Sequence, residues 1–240
     1  MITKGVLERV FCIRHGDSIG TAFTVDIDGK QYIITAKHVI DGLFGVGRPS
    51  TVEVLRDRTW HNIGARLVGE APLNCDIAVL ACDVLLSPPA AITASSSGIV
   101  YGQDLYFLGF PYGLHSDSGD LNHGFPFPLV KKGILSNIQK QEDGTVVFLI
   151  DGHNNPGFSG GPVVWARPGK ITPRTPGEIV KLDYSVGAVI SAYRFAYDKV
   201  YLGGEETPLA YRQNTGIVIA HPVDEAVKII EANPAGCPIK

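Results

Sequence analysis

Apolar and polar residues alternate along most of this chain in short runs, each closed by glycine, proline, asparagine or aspartate. A period of two is the mark of half-buried strands. Such runs fall at Val6–Arg14, Gly20–Ile27, Lys30–Ala36, Thr51–Leu55, Asn62–Val68, Ile77–Cys82, Asp104–Gly109, Gly133–Gln141, Thr145–Asp151, Gly161–Ala166, Tyr184–Phe195 and Gly216–His221. Asp28-Gly29 and Asp143-Gly144 sit between neighbouring runs and supply the positive φ angles of two-residue hairpin turns. The helical period shows clearly once, after Pro222. Val223, Ala226, Val227 and Ile230 share one face there, Asp224 and Glu225 suit the positive helix end, and Asn233-Pro234 stops it. Three longer loops are expected at Asp41–Ser50, Pro111–Pro128 and Arg167–Leu182, the last read as a hairpin insertion. The Ser/Pro/Ala-rich stretch Ser87–Gly98 reads as a linker. The pattern predicts an all-β chain of closely spaced antiparallel strands with one C-terminal helix.

Composition narrows this picture. The 240 residues carry 28 Gly and 16 Pro with 45% hydrophobic residues, a turn-rich chain that is too apolar to be disordered. Lys plus Arg (21) nearly balances Asp plus Glu (24), so no basic field for nucleic acid is present. No apolar run reaches the roughly 18 residues of a transmembrane helix. Glu8 and Arg9 interrupt the place where a secretory leader would need an apolar core. Cys12, Cys75, Cys82 and Cys237 show no metal or redox spacing and read as reduced thiols, which points to a cytoplasmic protein.

The chemistry concentrates in Asp151-Gly-His-Asn-Asn-Pro-Gly-Phe-Ser-Gly-Gly-Pro-Val-Val164. Glycine loses the most backbone entropy on folding. A serine set among Gly157, Gly160 and Gly161 therefore suggests a tight loop baring a hydroxyl beside backbone N–H groups. Acyl transfer needs that arrangement: Ser159 as nucleophile, with the N–H groups of Gly157 and Ser159 as oxyanion donors. The plain alternative is a glycine-rich turn with a passive serine. His38 ends the apolar strand Ile33–Ile40 and could serve as base; Asp76 opens the strand Asp76–Leu80 and could orient the imidazole. Gly157-Phe-Ser-Gly-Gly161 also fits the nucleophile elbow of α/β-hydrolases, but that fold needs its aspartate and histidine after the serine, and only His221 follows. The loop residues His115, Asp117, Asp120 and His123 read as a solvated loop rather than a metal site, and no cofactor motif is present.

Taken in order, Thr35-Ala-Lys-His-Val39, Asp76-Ile-Ala-Val-Leu80 and Gly157-Phe-Ser-Gly-Gly-Pro162 resemble the chymotrypsin-fold serine peptidases. Leu108–Gly113, Lys132–Ser136 and Gly216–Pro222 are similar to the bacterial HtrA/Deg branch. The resemblance implies two six-stranded antiparallel β-barrels with a C-terminal α-helix. The halves would span residues 1–90 and 91–221, with the helix and tail at 222–240. It implies His38, Asp76 and Ser159 as a catalytic triad and Gly157 and Ser159 as the oxyanion hole. His153, Ser191, Ala192 and Tyr193 would bind a polypeptide substrate taken up as an extended strand. His153 stands where basic-specific members carry an aspartate, so a small or medium apolar residue is expected before the scissile bond, with an acidic one as the alternative. Phe158 replaces the aspartate that pairs with a new N-terminus in zymogens, so activation by N-terminal trimming is not expected. The competing reading is a latent module whose oxyanion loop awaits a partner protein.

Overall fold

In the computed structural model, residues 2–42, 45, 47–72, 74–90, 92–167 and 183–239 are described. A single helical turn, α1 (Lys4–Leu7), precedes β1 (Val10–His15), β2 (Ser18–Ile27), β3 (Lys30–Thr35), β4 (Pro49–Arg56), β5 (Thr59–Glu70) and β6 (Ala78–Cys82). A two-residue β7 (Thr93–Ala94) leads to β8 (Asp104–Gly109), β9 (Leu129–Lys140), β10 (Val146–Asp151), β11 (Pro162–Arg167), β12 (Asp183–Leu202) and β13 (Glu205–Pro222). Helix α2 (Asp224–Ala232) and a two-residue β14 (Cys237–Pro238) complete the chain. The hairpin insertion expected at Arg167–Leu182 lies, apart from Arg167 itself, outside the described residues.

Antiparallel pairing runs β1–β2–β3–β6–β5–β4 and returns to β1, closing a six-stranded barrel. A second circuit, β8–β9–β10–β13–β12–β11, closes on β8 in the same way. Closure removes sheet edges, which explains how so many short strands coexist without exposing unpaired backbone. Alternation sorts the apolar side chains into three layers. Phe11, Ile13, Ala78 and Leu80 fill the first barrel, and Leu105, Phe107, Val163 and Trp165 fill the second. Their sequence neighbours Val10, Cys12, Val79 and Val164 point the other way, into a seam between the barrels that also takes Phe110, Val189, and Val223, Ala226 and Ile230 at α2. Strands buried on both faces in this way pin the barrels together.

Several local expectations change. Asp28 (φ 49°) and Gly29 (φ 72°) form the two-residue turn. Asp143-Gly144 does not: five residues link β9 to β10, and Gln141 N–H donates to Thr145 O (2.8 Å). Only Gly144 of that dipeptide has positive φ, because the Asp143 carboxylate instead accepts from Thr145 N–H (2.8 Å). Lys4–Leu7 is helical, so β1 starts at Val10. Pro222 ends β13 opposite Ala188, and Val223 is the cap before α2. Ser87 is buried, bonded to Thr24 (2.7 Å), and Thr93–Ala94 pairs with β12, so the stretch between the barrels is anchored along its length. The largest difference is the length of β12 and β13, 20 and 18 residues, which run out of the barrel as a solvated ribbon tipped by Gly203-Gly204. Among the described residues no helix is long and apolar enough to cross a membrane.

Candidate active site

His38 sits in a 3₁₀ turn directly after β3, and Asp76 immediately precedes Ile77 and β6, the strand that pairs with β3. The pairing brings two residues 38 positions apart into contact. His38 Nδ1 lies 2.6 Å from Asp76 Oδ2, and His38 N–H donates to Asp76 Oδ1 (3.2 Å), so one carboxylate holds both the ring and its backbone. The hydrogen bond with Asp76 raises the His38 pKa against the opposing effect of burial. Burial pushes Asp76 upward, but the bonds from His38 and from the Ser191 hydroxyl (2.7 Å) bring it below the usual carboxylate value. The imidazole is therefore anchored through Nδ1, while about half of its side chain (52%) remains exposed to the cleft.

Ser159 arrives from the other barrel, in the loop between β10 and β11. It is followed by a strand, not a helix, which removes the α/β-hydrolase elbow reading. The loop is fixed by the residue before the serine: Phe158 is fully buried, edge-on to Phe107 (5.2 Å), with the Lys131 ammonium 5.5 Å from its ring. Lys131 also donates to His153 O (2.6 Å) and Asn155 Oδ1 (3.0 Å), and burial lowers its pKa. The Ser159 hydroxyl donates to Ser191 O (3.2 Å).

Backbone orientation around the serine is set carbonyl by carbonyl. Asn155-Pro156-Gly157-Phe158 is a turn closed by Phe158 N–H to Asn155 O (3.2 Å), with Gly157 at φ 106°. Pro156 O accepts from Tyr112 N–H (2.8 Å) and Phe158 O from Gly161 N–H (2.8 Å). In a trans peptide the N–H points opposite to the C=O. The N–H groups of Gly157 and Ser159 are thus turned away from those two anchors, and among the described residues neither is spent on a backbone carbonyl. Thr21 of β2 reaches across the seam: its hydroxyl donates to Gly157 O (2.6 Å) and its N–H to Ser159 O (2.8 Å). Gly157 is required on two counts, since a Cβ there would also lie 2.3 Å from Phe110 O.

His38, Asn154, Asn155, Pro156, Ser159 and Ser191 line one cleft of about 420 Å³ between the barrels, continued by Ala192, Tyr193, Phe195 and Arg212. His153 is exposed and absent from this lining; its neighbour Asn154 takes the wall position. Asn154 is 2% exposed, its Nδ2 donates to Ala192 O (3.0 Å), and its Oδ1 is a buried acceptor without a partner among the described residues. The residues that sequence reasoning missed are Thr21, Asn154, Phe195 and Arg212. Their positions depend on how strands from different barrels register, and no local pattern marks them. In the loop Pro111–Pro128, Asp117 is taken by Arg58 (2.6 Å), and among the described residues no cluster of three or more His, Cys, Asp or Glu gathers as a metal site.

The family model for the trypsin-like peptidase domain matches residues 20–172. The fold is similar to two structures of the HtrA-type protease AlgW with a tripeptide, at TM-scores of 0.59 and 0.58 and 22% identity. Each match covers 95% of this chain but 60% of AlgW, so the chain spans little more than half of that relative's length. It is also similar to a Ser→Ala mutant of Rv3671c from M. tuberculosis H37Rv in an inactive form, at a TM-score of 0.55 and 17% identity, covering 98% of this chain and 91% of that one.

Proposed function

The chain belongs to the trypsin-like peptidase family, and from that premise we propose that it is a serine endopeptidase acting through His38, Asp76 and Ser159. The observation that carries this reading is the convergence, in one cleft, of a carboxylate-anchored imidazole and a serine, next to two backbone N–H groups that no backbone carbonyl takes among the described residues. Ser159 Oγ attacks the peptide carbonyl as His38 Nε2 takes its proton. The N–H groups of Gly157 and Ser159 receive the oxyanion, and His38 returns the proton to the leaving amine. Water then hydrolyses the acyl-enzyme by the same proton path. Asp76 keeps Nδ1 protonated, which leaves Nε2 as the acceptor.

The substrate enters as an added strand. Ladder pairing of β11 with β12 ends at Pro162–Val189 and backbone bonding at Ile190, so Ser191–Tyr193 lie beyond β11 beside Ser159. An added strand would take Ser191 O and Ala192 O from the Ser159 and Asn154 side chains that now donate to them. Phe158 anchors the serine loop by its burial and by its backbone bonds to Asn155 and Gly161, so no N-terminal ion pair is required. The Ser159 bond to Ser191 O describes a resting rotamer; turning the hydroxyl toward His38 costs about one hydrogen bond, roughly 1 kcal/mol. The latent alternative needs the Pro156–Gly157 peptide reversed, and the Tyr112 contact to Pro156 O opposes that. Labelling with a fluorophosphonate tests the proposal. Wild type is expected to label and Ser159→Ala to remain unlabelled; unlabelled wild type would favour latency.

A further inference from the structure

The ribbon formed by β12 and β13 carries its side chains in two rows. Tyr193, Phe195 and Tyr197 alternate along one face, with Arg212 directly opposite Tyr197 in the cross-strand register. Phe195 and Tyr197 pack edge-on at 5.6 Å. The Arg212 guanidinium lies over Phe195, 3.9 Å from the ring centroid, and 5.5 Å from Tyr193. This face does not end at the barrel. Tyr193, Phe195 and Arg212 continue into the cleft that holds His38 and Ser159.

The charge there is unspent. Among the described residues no carboxylate pairs with Arg212; on the same ribbon Glu206 is held by Lys199, and Asp198 accepts from Tyr211 (3.4 Å). Contact with ring faces positions a guanidinium but uses none of its in-plane N–H donors, which stay free for a planar, two-oxygen acceptor. The aromatic wall also lowers the local dielectric, so a carboxylate reaching this spot gains more than it would on an open surface.

We propose that Arg212 is a specificity-determining residue that selects polypeptides carrying an aspartate or glutamate close to the scissile bond. The proposal rests on the peptidase reading above and names its substrate class. A peptide added along β12 beyond the end of β11 alternates its side chains, so only every second residue faces Tyr193, Phe195 and Arg212. The acidic preference therefore falls on positions of one parity.

The test uses a fluorogenic peptide library in which Glu, Gln or Lys is walked through the positions flanking the cleavage site. Turnover is followed with wild type, and binding is followed by anisotropy with Ser159→Ala. We expect Glu peptides to be favoured about tenfold at positions of one parity in both assays, the size of one charge-assisted contact. The ratio should fall toward one at about 0.5 M salt. Arg212→Gln should collapse it, and Arg212→Glu should reverse it in favour of Lys peptides, which also shows that the variant ribbon is folded. A Glu/Gln ratio below about twofold at every position, a ratio that survives Arg212→Gln, or no peptide binding by Ser159→Ala would overturn the inference. Absence of Ser159-dependent turnover would instead sink the peptidase reading, while binding to Ser159→Ala still reports on Arg212.

Discussion

His38 shows how much of the proposed chemistry depends on one contact. Its bond to Asp76 raises the imidazole pKa, and proton acceptance needs the neutral ring. The acid limb of kcat/KM is therefore expected above pH 6.5, the ordinary imidazole value, and Asp76→Asn should move it down while cutting turnover by about four orders of magnitude. An acid limb at or below 6.5 in wild type would contradict the geometry. The same shift has a stability sign. Folded His38 binds its proton more tightly than the unfolded chain, so this contribution is complete below pH 6.5 and fades as pH rises through the higher folded value. Asp76 is shifted the other way, and its contribution is lost as pH falls below 3.8 toward the lower folded value. Thr21 is the counterpart on the backbone side: one residue of the first barrel fixes the carbonyls on both sides of Phe158, Gly157 O through its hydroxyl and Ser159 O through its N–H.

The ribbon obeys different rules from the strands it extends. Within the barrels, β12 and β13 bury Val186, Ala188, Ile190, Val218 and Ala220; beyond Tyr193, Tyr197, Tyr201, Leu202 and Leu209 are all more than 60% exposed. Such a segment is held by its ladder and cross-strand pairs, with little apolar burial. Replacing residues 198–211 by an Asn-Gly turn joining Tyr197 to Arg212 is expected to change stability by less than about 1 kcal/mol in urea unfolding. A loss of several kcal/mol would mean that the ribbon supports the barrels. The period-two pattern in this stretch marks two solvated faces, which is why the strand signal in the sequence stops near Phe195.

The two barrels share a seam rather than merely touching. Phe110, Val164, Val189 and the face of α2 meet Val10, Cys12, Phe23, Ile34 and Val79 there, and Arg9 is locked bidentately to Asp26 while also donating to Pro88 O and Ala90 O on the connector. The chain's two tryptophans lie one in each barrel, Trp60 on β5 and Trp165 on β11. Single-tryptophan variants are expected to report one coincident unfolding transition. Phe110→Ala should lower both midpoints together, by about 3–5 kcal/mol of stability. Separate midpoints for Trp60 and Trp165 would show that the barrels unfold independently.

Alternation of apolar side chains was enough to predict most strands, the β2–β3 turn and helix α2, because those signals are local. The ordered segments around His38, Asp76 and Ser159 pointed to the peptidase family for the same reason: each motif needs only its own neighbours. The cleft is not local. Whether Asn154 or His153 faces the cleft turns on the path of one loop, pinned by Lys131. Thr21 reaches Gly157 across 136 positions of sequence. Arg212 enters the cleft only because two strands of unequal composition keep pairing after they leave the barrel. Contacts of this kind are fixed by strand register and by the packing of one barrel on the other, and neither is written in any single stretch of residues.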